Sequence, residues 1–299
     1  MKRNINEILM KAGVAIGACV LLCAPSGVSA QSGAPAAALR VGNYAEKYGW
    51  SEGDSVITVP ASVRRVPDYA FAGIKGLKRV EFAEGSECRA IGAYAFAECT
   101  ELEEVNLPAG IMGLGDGAFR ECQSLRRMDI PRGVWFIPKE CFLRCVSLEG
   151  VSMNGEVREI RDFAFAGCEK LEEFRMPEDL REIGMNAFSH CLSLEEVVIP
   201  AGVTKIESYA FSDCRGLRKV RLPKSYNQLG ELVFSSCESL QEIIEPATKP
   251  PRFECNSYPF EPDNTDAYAR CVLYVPAASL KYYTYHHGWS LFSKILPIP

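Results

Sequence analysis

Histidine is scarce in this sequence, with three in 299 residues, at His190, His286 and His287. That shortage removes the commonest general base and metal ligand from nearly the whole chain. No Gly-rich phosphate loop follows a strand pattern, and no His-Glu-x-x-His zinc motif occurs. Basic residues are in deficit, 33 Lys and Arg against 38 Asp and Glu, for a net charge of −5. Moderate acidity speaks against nucleic-acid and anionic-membrane partners, which need concentrated positive charge. Long apolar runs are missing too. The one candidate, Ala12 to Ala24, is short for a bilayer span, and nothing downstream has the pattern of a transmembrane segment.

What is present begins with that run. Lys2, Arg3 and Lys11 precede it, Pro25-Ser26-Gly27 breaks it, and Val28-Ser29-Ala30 supplies small residues. A basic region, a short apolar stretch and a small-residue site make a signal peptide. Residues 1–30 are therefore expected to be cut off after Ala30, leaving an exported chain that is secreted, periplasmic or at the cell surface. Cleavage removes three basic groups and one acidic, so the remainder carries −7. Ile16-Gly17-Ala18 before Cys19 resembles a lipobox, but apolar Val20-Leu21-Leu22 behind it weighs against lipidation at Cys19.

The rest of the chain is periodic. A 23-residue unit opens on Leu102, Leu125, Leu148, Leu171, Leu194, Leu217 and Leu240. Twelve residues later stands Leu114, Ile137, Ile160, Ile183, Ile206 or Leu229. Phenylalanines follow at Phe119, Phe142, Phe165, Phe188, Phe211 and Phe234, each three residues before Cys122, Cys145, Cys168, Cys191, Cys214 or Cys237. Phe96 and Cys99 close a unit two residues longer, and Phe71 with Ile74 in the cysteine slot closes an earlier one. A leucine-led period in the twenties indicates a solenoid.

Within a unit, Leu194 to Ile199 alternates in period two, with β-branched residues and a following proline, so it is a strand that Pro200 ends. Val203 and Ile206 lie in a turn or second short strand, and Tyr209 to Cys214 has the spacing of one helical turn. Parallel strands ~4.8 Å apart then give about eight rungs and a rod roughly 40 Å long. The expected class is a leucine-rich repeat solenoid, α/β to mainly β, a right-handed stack of strand–turn–short-helix rungs. The divisions are a signal peptide at 1–30, a linker and N-terminal cap at 31–55, the repeats at 56–245 and a C-terminal cap at 246–299. Tyr44, Tyr48 and Trp50 are placed over the open N-terminal end. In the C-terminal cap, Glu261 to Asp266 is a polar loop, Cys271 to Pro276 a strand, and Ser279 to Phe292 a short helix and lid.

The pattern L-x-x-V-x-L-P-x-x-V-x-x-I-x-x-x-A-F-x-x-C resembles the BspA-like leucine-rich repeats of bacterial surface proteins. Leu273-Tyr274-Val275-Pro276 with Gly288-Trp289-Ser290 is similar to the ending of such proteins. Departures are local: Ile74 for cysteine, Cys141 for alanine, Asn154 for proline and Tyr226 for an aliphatic. The resemblance implies a secreted or cell-surface, non-catalytic protein that binds other proteins, host or matrix proteins among them, without a cofactor. It transfers no defined binding residues.

Thirteen cysteines in an exported chain raise the question of disulfides. Seven, Cys99 to Cys237, share one phase and are expected to be unpaired core thiols, small apolar fillers that donate weakly to turn carbonyls. Equal spacing spreads them along a line, whereas a metal needs converging ligands. Cys141 fills the alanine slot of the rung that holds Cys145. Cys255 and Cys271, both in the cap, are the pair to test for a bridge. His190 beside Cys191 has the residue types of a nucleophile pair, yet neighbours on a turn point apart. Asp263-Asn264-Thr265-Asp266 carries oxygen ligands for Ca²⁺, which ordinary turn chemistry also explains.

The outer face of the first strands is the informative surface. Glu104 with Arg127, and Glu196 with Lys219, are opposite charges on adjacent rungs and stabilise a ladder slightly. Glu173 and Glu196 are like charges, with Glu172 and Glu195 beside them; Arg218, Lys219 and Arg221 form a basic rung, and Val198 and Ile244 are apolar and outward. The candidate partner-binding face is Glu172, Glu173, Arg175, Glu195, Glu196, Val198, Arg218, Lys219 and Arg221. Envelope glycan binding or a structural spacer role are the alternatives; the aromatics a glycan site needs lie mostly in the caps. Because each rung relies on its neighbours, Phe188→Ala is expected to lower the unfolding free energy by ~3–5 kcal/mol, measured by denaturant melting.

Overall fold

A computed structural model describes residues 46–51, 53–224, 226–250 and 258–299. The chain divides into units 1–40 and 41–299, and all described residues belong to the second. The expected signal peptide with Cys19, and also Tyr44 and Cys255, lie outside the described residues.

Strands come two to a turn. In chain order they are β1 (Val56–Val59), β2 (Arg65–Val66), β3 (Arg79–Phe82), β4 (Ala90–Ile91), β5 (Glu104–Val105) and β6 (Arg127–Ile130). Then come β7 (Phe136–Ile137), β8 (Gly150–Met153), β9 (Glu159–Ile160), β10 (Glu173–Phe174), β11 (Glu182–Ile183) and β12 (Glu196–Val198). The last are β13 (Lys205–Ile206), β14 (Lys219–Arg221), β15 (Gln228–Leu229), β16 (Glu242–Ile244), β17 (Val272–Val275) and β18 (Lys294–Pro297). All pairings are parallel, and most are in register with the 23-residue period, as in Ile183 opposite Ile160 and Val220 opposite Val197; the offset is 25 residues at the longer early unit and departs again in the C-terminal segment.

The first strands form three successive sheets, β1-β3-β5, β6-β8-β10 and β12-β14-β16-β17-β18. The second strands form β2-β4, extended by a bridge from Ala90 to Gly113, and β7-β9-β11-β13-β15. The stack therefore runs longer than the repeat pattern alone, to about ten turns, because β17 and β18 of the C-terminal segment continue the ladder beyond β16.

The segment expected to be a helical turn is not one. Two residues per rung bracket it in left-handed backbone, such as Tyr94 (φ 52°) and Glu98 (φ 60°), or Tyr209 and Asp213 (φ 60° and 55°). Between them alternate N–H groups point along the stack: those of Tyr94, Phe96 and Glu98 bond to the carbonyls of Asp116, Ala118 and Arg120 at 2.7–2.9 Å. Left-handed backbone costs a non-glycine residue ~1–2 kcal/mol, and here it turns those donors toward the next rung. Glycine takes the position at Gly73, Gly117 and Gly167. This makes a third ladder of backbone bonds, outside the strands.

Inside the three ladders the side chains form columns. The phenylalanines from Phe71 to Phe234 are fully buried and stack ring on ring, with centroids 5.1–6.1 Å apart and planes within 21°. Each column cysteine donates its thiol to the carbonyl of the phenylalanine of the preceding rung, 28 residues earlier for Cys99 to Phe71 and 26 for the rest, through Cys237 to Phe211, at 3.0–3.4 Å. Most of these carbonyls also accept a backbone bond within their own rung; Phe96 O takes the N–H of Cys99 and the thiol of Cys122. The thiol thus occupies the second lone pair of a buried carbonyl, a task alanine cannot perform. Ile74, in the first cysteine slot, is buried as a plain filler, and Cys141 is equally buried in the alanine slot.

The ends are closed differently. Tyr48 and Trp50 pack partly buried against the N-terminal core, the Tyr48 ring 5.8 Å from that of Phe71. At the other end the expected polar loop contains a helix, α1 (Thr265–Arg270), whose Asn264 side chain accepts from the N–H of Ala267. A second helix, α2 (Leu280–Tyr285), and a 3-10 turn at Trp289–Leu291 bury Tyr283 and Trp289. Cys271 is a free thiol, buried beside β17.

Glu245 lies at the junction of repeats and cap, with no exposed surface. Its carboxylate accepts from the hydroxyl of Tyr226 and, at 2.8 Å, from the N–H of Ala247. Tyr226, the departure from an aliphatic, is thus the partner of a buried acid. Burial raises the Glu245 carboxyl to about 7 from 4.5, against the pull of those donors. The folded state therefore favours the protonated acid, and this contribution to stability is lost as pH rises from about 4.5 to 7. Glu245→Gln is expected to match the parent in thermal melts at pH 5 and to exceed it by on the order of 3 kcal/mol at pH 8. The column thiols offer a second check. Burial pushes Cys99 up to about 12 and raises Cys122, Cys145, Cys168, Cys191 and Cys237 as well. Because the thiolate is the nucleophile, these cysteines should resist iodoacetamide at pH 8 in native protein and react fully in denaturant, as read by intact mass.

Candidate interaction faces

On the first-strand sheets, alternation puts Val197 and Val220 inward and their strand neighbours outward. In β12, Val197 is buried while Glu196 and Val198 are exposed, Val198 to 52%. In β14, Val220 is buried between Lys219 and the exposed Arg221. Register sets Glu196 opposite Lys219 and Val198 opposite Arg221. Glu172, Arg175, Glu195 and Arg218 are exposed as well. Glu173 begins the short strand β10.

The ion pairs differ from the expected ones. Lys219 reaches forward to Glu242 at 3.5 Å, and Arg218 meets Glu195 at 3.7 Å. Glu104 pairs with Arg79 at 3.0 Å, while the Arg127 guanidinium lies 4.0 Å from Glu149. The reason is in the ladder: the sheet is interrupted between β5 and β6, so Glu104 and Arg127 are not strand partners. A second interruption falls between β10 and β12, so the like charges Glu173 and Glu196 are not ladder neighbours either. The candidate face is accordingly in two parts, Glu172 to Arg175 on the edge strand of one sheet and Glu195 to Arg221 on the next. All these pairs are solvent-exposed and contribute ~0–1 kcal/mol each.

The residues weighed for catalysis or metal binding are occupied otherwise. His190 Nδ1 lies 3.8 Å from Asp213, while the thiol of Cys191 donates inward to Phe165 O. Asn264 caps α1 and the Thr265 N–H bonds to Asp263 O, which is turn chemistry. Among the described residues, no group of three or more His, Cys, Asp or Glu is placed to hold a metal ion. Nor, among them, is any helix long and apolar enough to cross a membrane.

The second-strand face holds residues that sequence reasoning passed over. Met112 and Trp135, one period apart just ahead of the second strand, are 66% and 60% exposed. Arg89 and Arg158 take the same place on the flanking rungs. A search for large apolar residues at outward phase would have found them, since the offset of 23 residues is visible in the sequence.

The BspA type leucine rich repeat region matches in six copies, over residues 54–162 and 135–250. No curated protein matches the chain. Among solved structures, a leucine-rich repeat protein of Bacteroides ovatus is 23% identical, covering 67% of this chain and 65% of that one, with a TM-score of 0.46. A T. pallidum leucine rich repeat protein is 27% identical over 62% of this chain and 78% of its own, with a TM-score of 0.44. A leucine rich cell surface protein of Faecalibacterium prausnitzii is 20% identical over 66% and 80%, with a TM-score of 0.33. With its repeats matched from residue 54 to residue 250, and their columns, ladders and buried cysteines in place, the chain belongs to the BspA-type leucine-rich repeat family.

Proposed function

We infer that this protein is an exported, non-catalytic scaffold that binds another protein through the outer face of its first-strand sheets. Its place is the cell surface or the secreted fraction, as an interaction or adhesion protein, and the partner is a host or other extracellular protein. The observation that carries this reading is the outward row on β12 and β14. There an exposed valine, Val198, sits among Glu196, Lys219 and Arg221 at single-rung spacing. The fold does not require that row: the buried phase is satisfied by Val197 and Val220, and the exposed pairs stabilise little.

Glu172, Glu173 and Arg175 belong to the proposed face as its second part, across the sheet interruption. The test is binding to a panel of immobilised extracellular and matrix proteins, with whole-cell proteolysis to place the protein. The double substitution Glu173→Lys with Glu196→Lys is expected to weaken capture of any bound panel protein at least tenfold and to leave the melting temperature unchanged. Affinity equal to the parent's in that variant would remove this face from consideration.

A further inference from the structure

The outward column ahead of the second strands changes character midway. Arg89 and Arg158 enclose Met112 and Trp135, and backbone bonds of 2.8 Å tie Met112 to Arg89 and Arg158 to Trp135. Both apolar side chains stand well out of the surface, 66% and 60% exposed. Beside them Phe136 is half-buried, and the position above Gly113 is open, with no atom within 4 Å of where a Cβ would stand. The Arg158 guanidinium lies 5.4 Å from the Trp135 ring centre, and that of Arg161 lies 3.8 Å from the Phe136 ring. An apolar ledge of two adjacent rungs is thus bordered by the exposed Arg89 on one side and by Arg158 on the other, whose guanidinium also lies 3.1 Å from the Glu156 carboxylate, an exposed pair weak enough for a competing carboxylate to replace.

We propose that this ledge binds an extended acidic segment of a partner protein, with an apolar side chain of that segment over Met112 and Trp135 and carboxylates on Arg89 and Arg158. The proposal rests on the protein-binding reading above but uses a different face.

Two arguments select this occupant. A second copy of the chain, related by a two-fold axis between Met112 and Trp135, would set Arg89 against Arg158; like charges oppose that arrangement. A glycan would place hydroxyls over the apolar Met112 side chain, which offers them no donor, whereas an apolar side chain is desolvated there favourably. The spacing also fits. Interior phenylalanines of these four rungs are 5.3–5.6 Å apart, so Arg89 and Arg158 are separated by roughly 15 Å along the stack. In an extended segment, residues i and i+4 are ~13 Å apart and share a face with residue i+2. Flexible guanidinium stems cover the remainder. The recognised pattern is acidic–x–apolar–x–acidic.

The experiment titrates a fluorescein-labelled Glu-Ser-Phe-Ser-Glu peptide against the full chain by anisotropy, beside Lys-Ser-Phe-Ser-Lys and a heparin oligosaccharide. The acidic peptide is expected to bind saturably, at least tenfold tighter than the basic one, and more weakly as salt rises. Trp135→Ser and Arg158→Glu should each weaken it tenfold or more without changing the melting temperature, and Glu196→Lys should leave it unchanged. Absence of saturable binding, equal binding of the basic peptide, or indifference to Trp135→Ser overturns the proposal. So does heparin binding that Trp135→Ser abolishes, or a dimer seen in sedimentation that the same substitution dissolves. Loss of a panel protein through Glu173→Lys with Glu196→Lys, while the peptide does not bind, rejects this site and leaves the first-strand reading standing.

Discussion

The structure depends on one constraint: every polar group on the upper and lower surfaces of a rung must be met by the next rung. A flat turn of 23 residues leaves its backbone donors and acceptors facing along the stack, and buried ones must be paired. Three ladders meet that demand, two through strands and one through the segment around each phenylalanine. The third is the most exacting, since alternate N–H groups point to the next rung only with left-handed residues at both ends. It also explains the cysteine. Buried phenylalanine carbonyls have a second lone pair facing the next rung, and the thiol reaches it while remaining small and apolar enough for the core.

How legible this was follows from the same constraint. Columns are set by residue type at fixed phase, so Leu194, Phe188 and Cys191 declared their burial in the sequence, and even the direction of the thiol bond was accessible. Backbone conformation was not. Tyr209 to Cys214 carries the spacing of a helical turn, yet left-handed backbone at Tyr209 and Asp213 replaces the helix, and nothing in a tyrosine or an aspartate demands that conformation. The partner of each charge on the first-strand face was equally hidden. Equal spacing implied that Glu104 faces Arg127, but the ladder is broken there and Glu104 pairs backward with Arg79. In the cap, where only local signals remain, the strand from Cys271 and the short helix after Ser279 were legible, while the helix that Asn264 caps was not.

The C-terminal junction shows what ending a solenoid involves. The last repeat would leave an open ladder, and β17 and β18 continue it until Pro297. The chain must leave the repeat path to do so, passing through Glu245 and Ala247 in the interior. There the carboxylate of Glu245 takes the Ala247 amide, the Tyr226 hydroxyl satisfies the carboxylate, and the Tyr283 hydroxyl satisfies the Ala247 carbonyl. A hydrophobic side chain in place of Glu245 would leave the amide unpaired. An acid provides the acceptor at the expense of a pH-sensitive junction, so the departure at Tyr226 and the acid at Glu245 belong to one arrangement.

In a molecule built this way, departures from period carry the information that the repeats do not. A residue repeated at every rung is explained by stacking; one that differs from its column needs a separate account. Tyr226 finds it in Glu245. Gly117 finds it in the Tyr94 ring, which would collide with any Cβ at that position. Val198 on the first-strand face, and Met112 with Trp135 on the second, find none inside the molecule, since they are exposed and most residues of their columns are charged or polar. Burial cannot account for an apolar side chain held in water on two consecutive rungs, and the ladder does not need it. What remains is contact with something outside the chain, which is why both faces, rather than the core motif that defines the family, are where recognition should be sought.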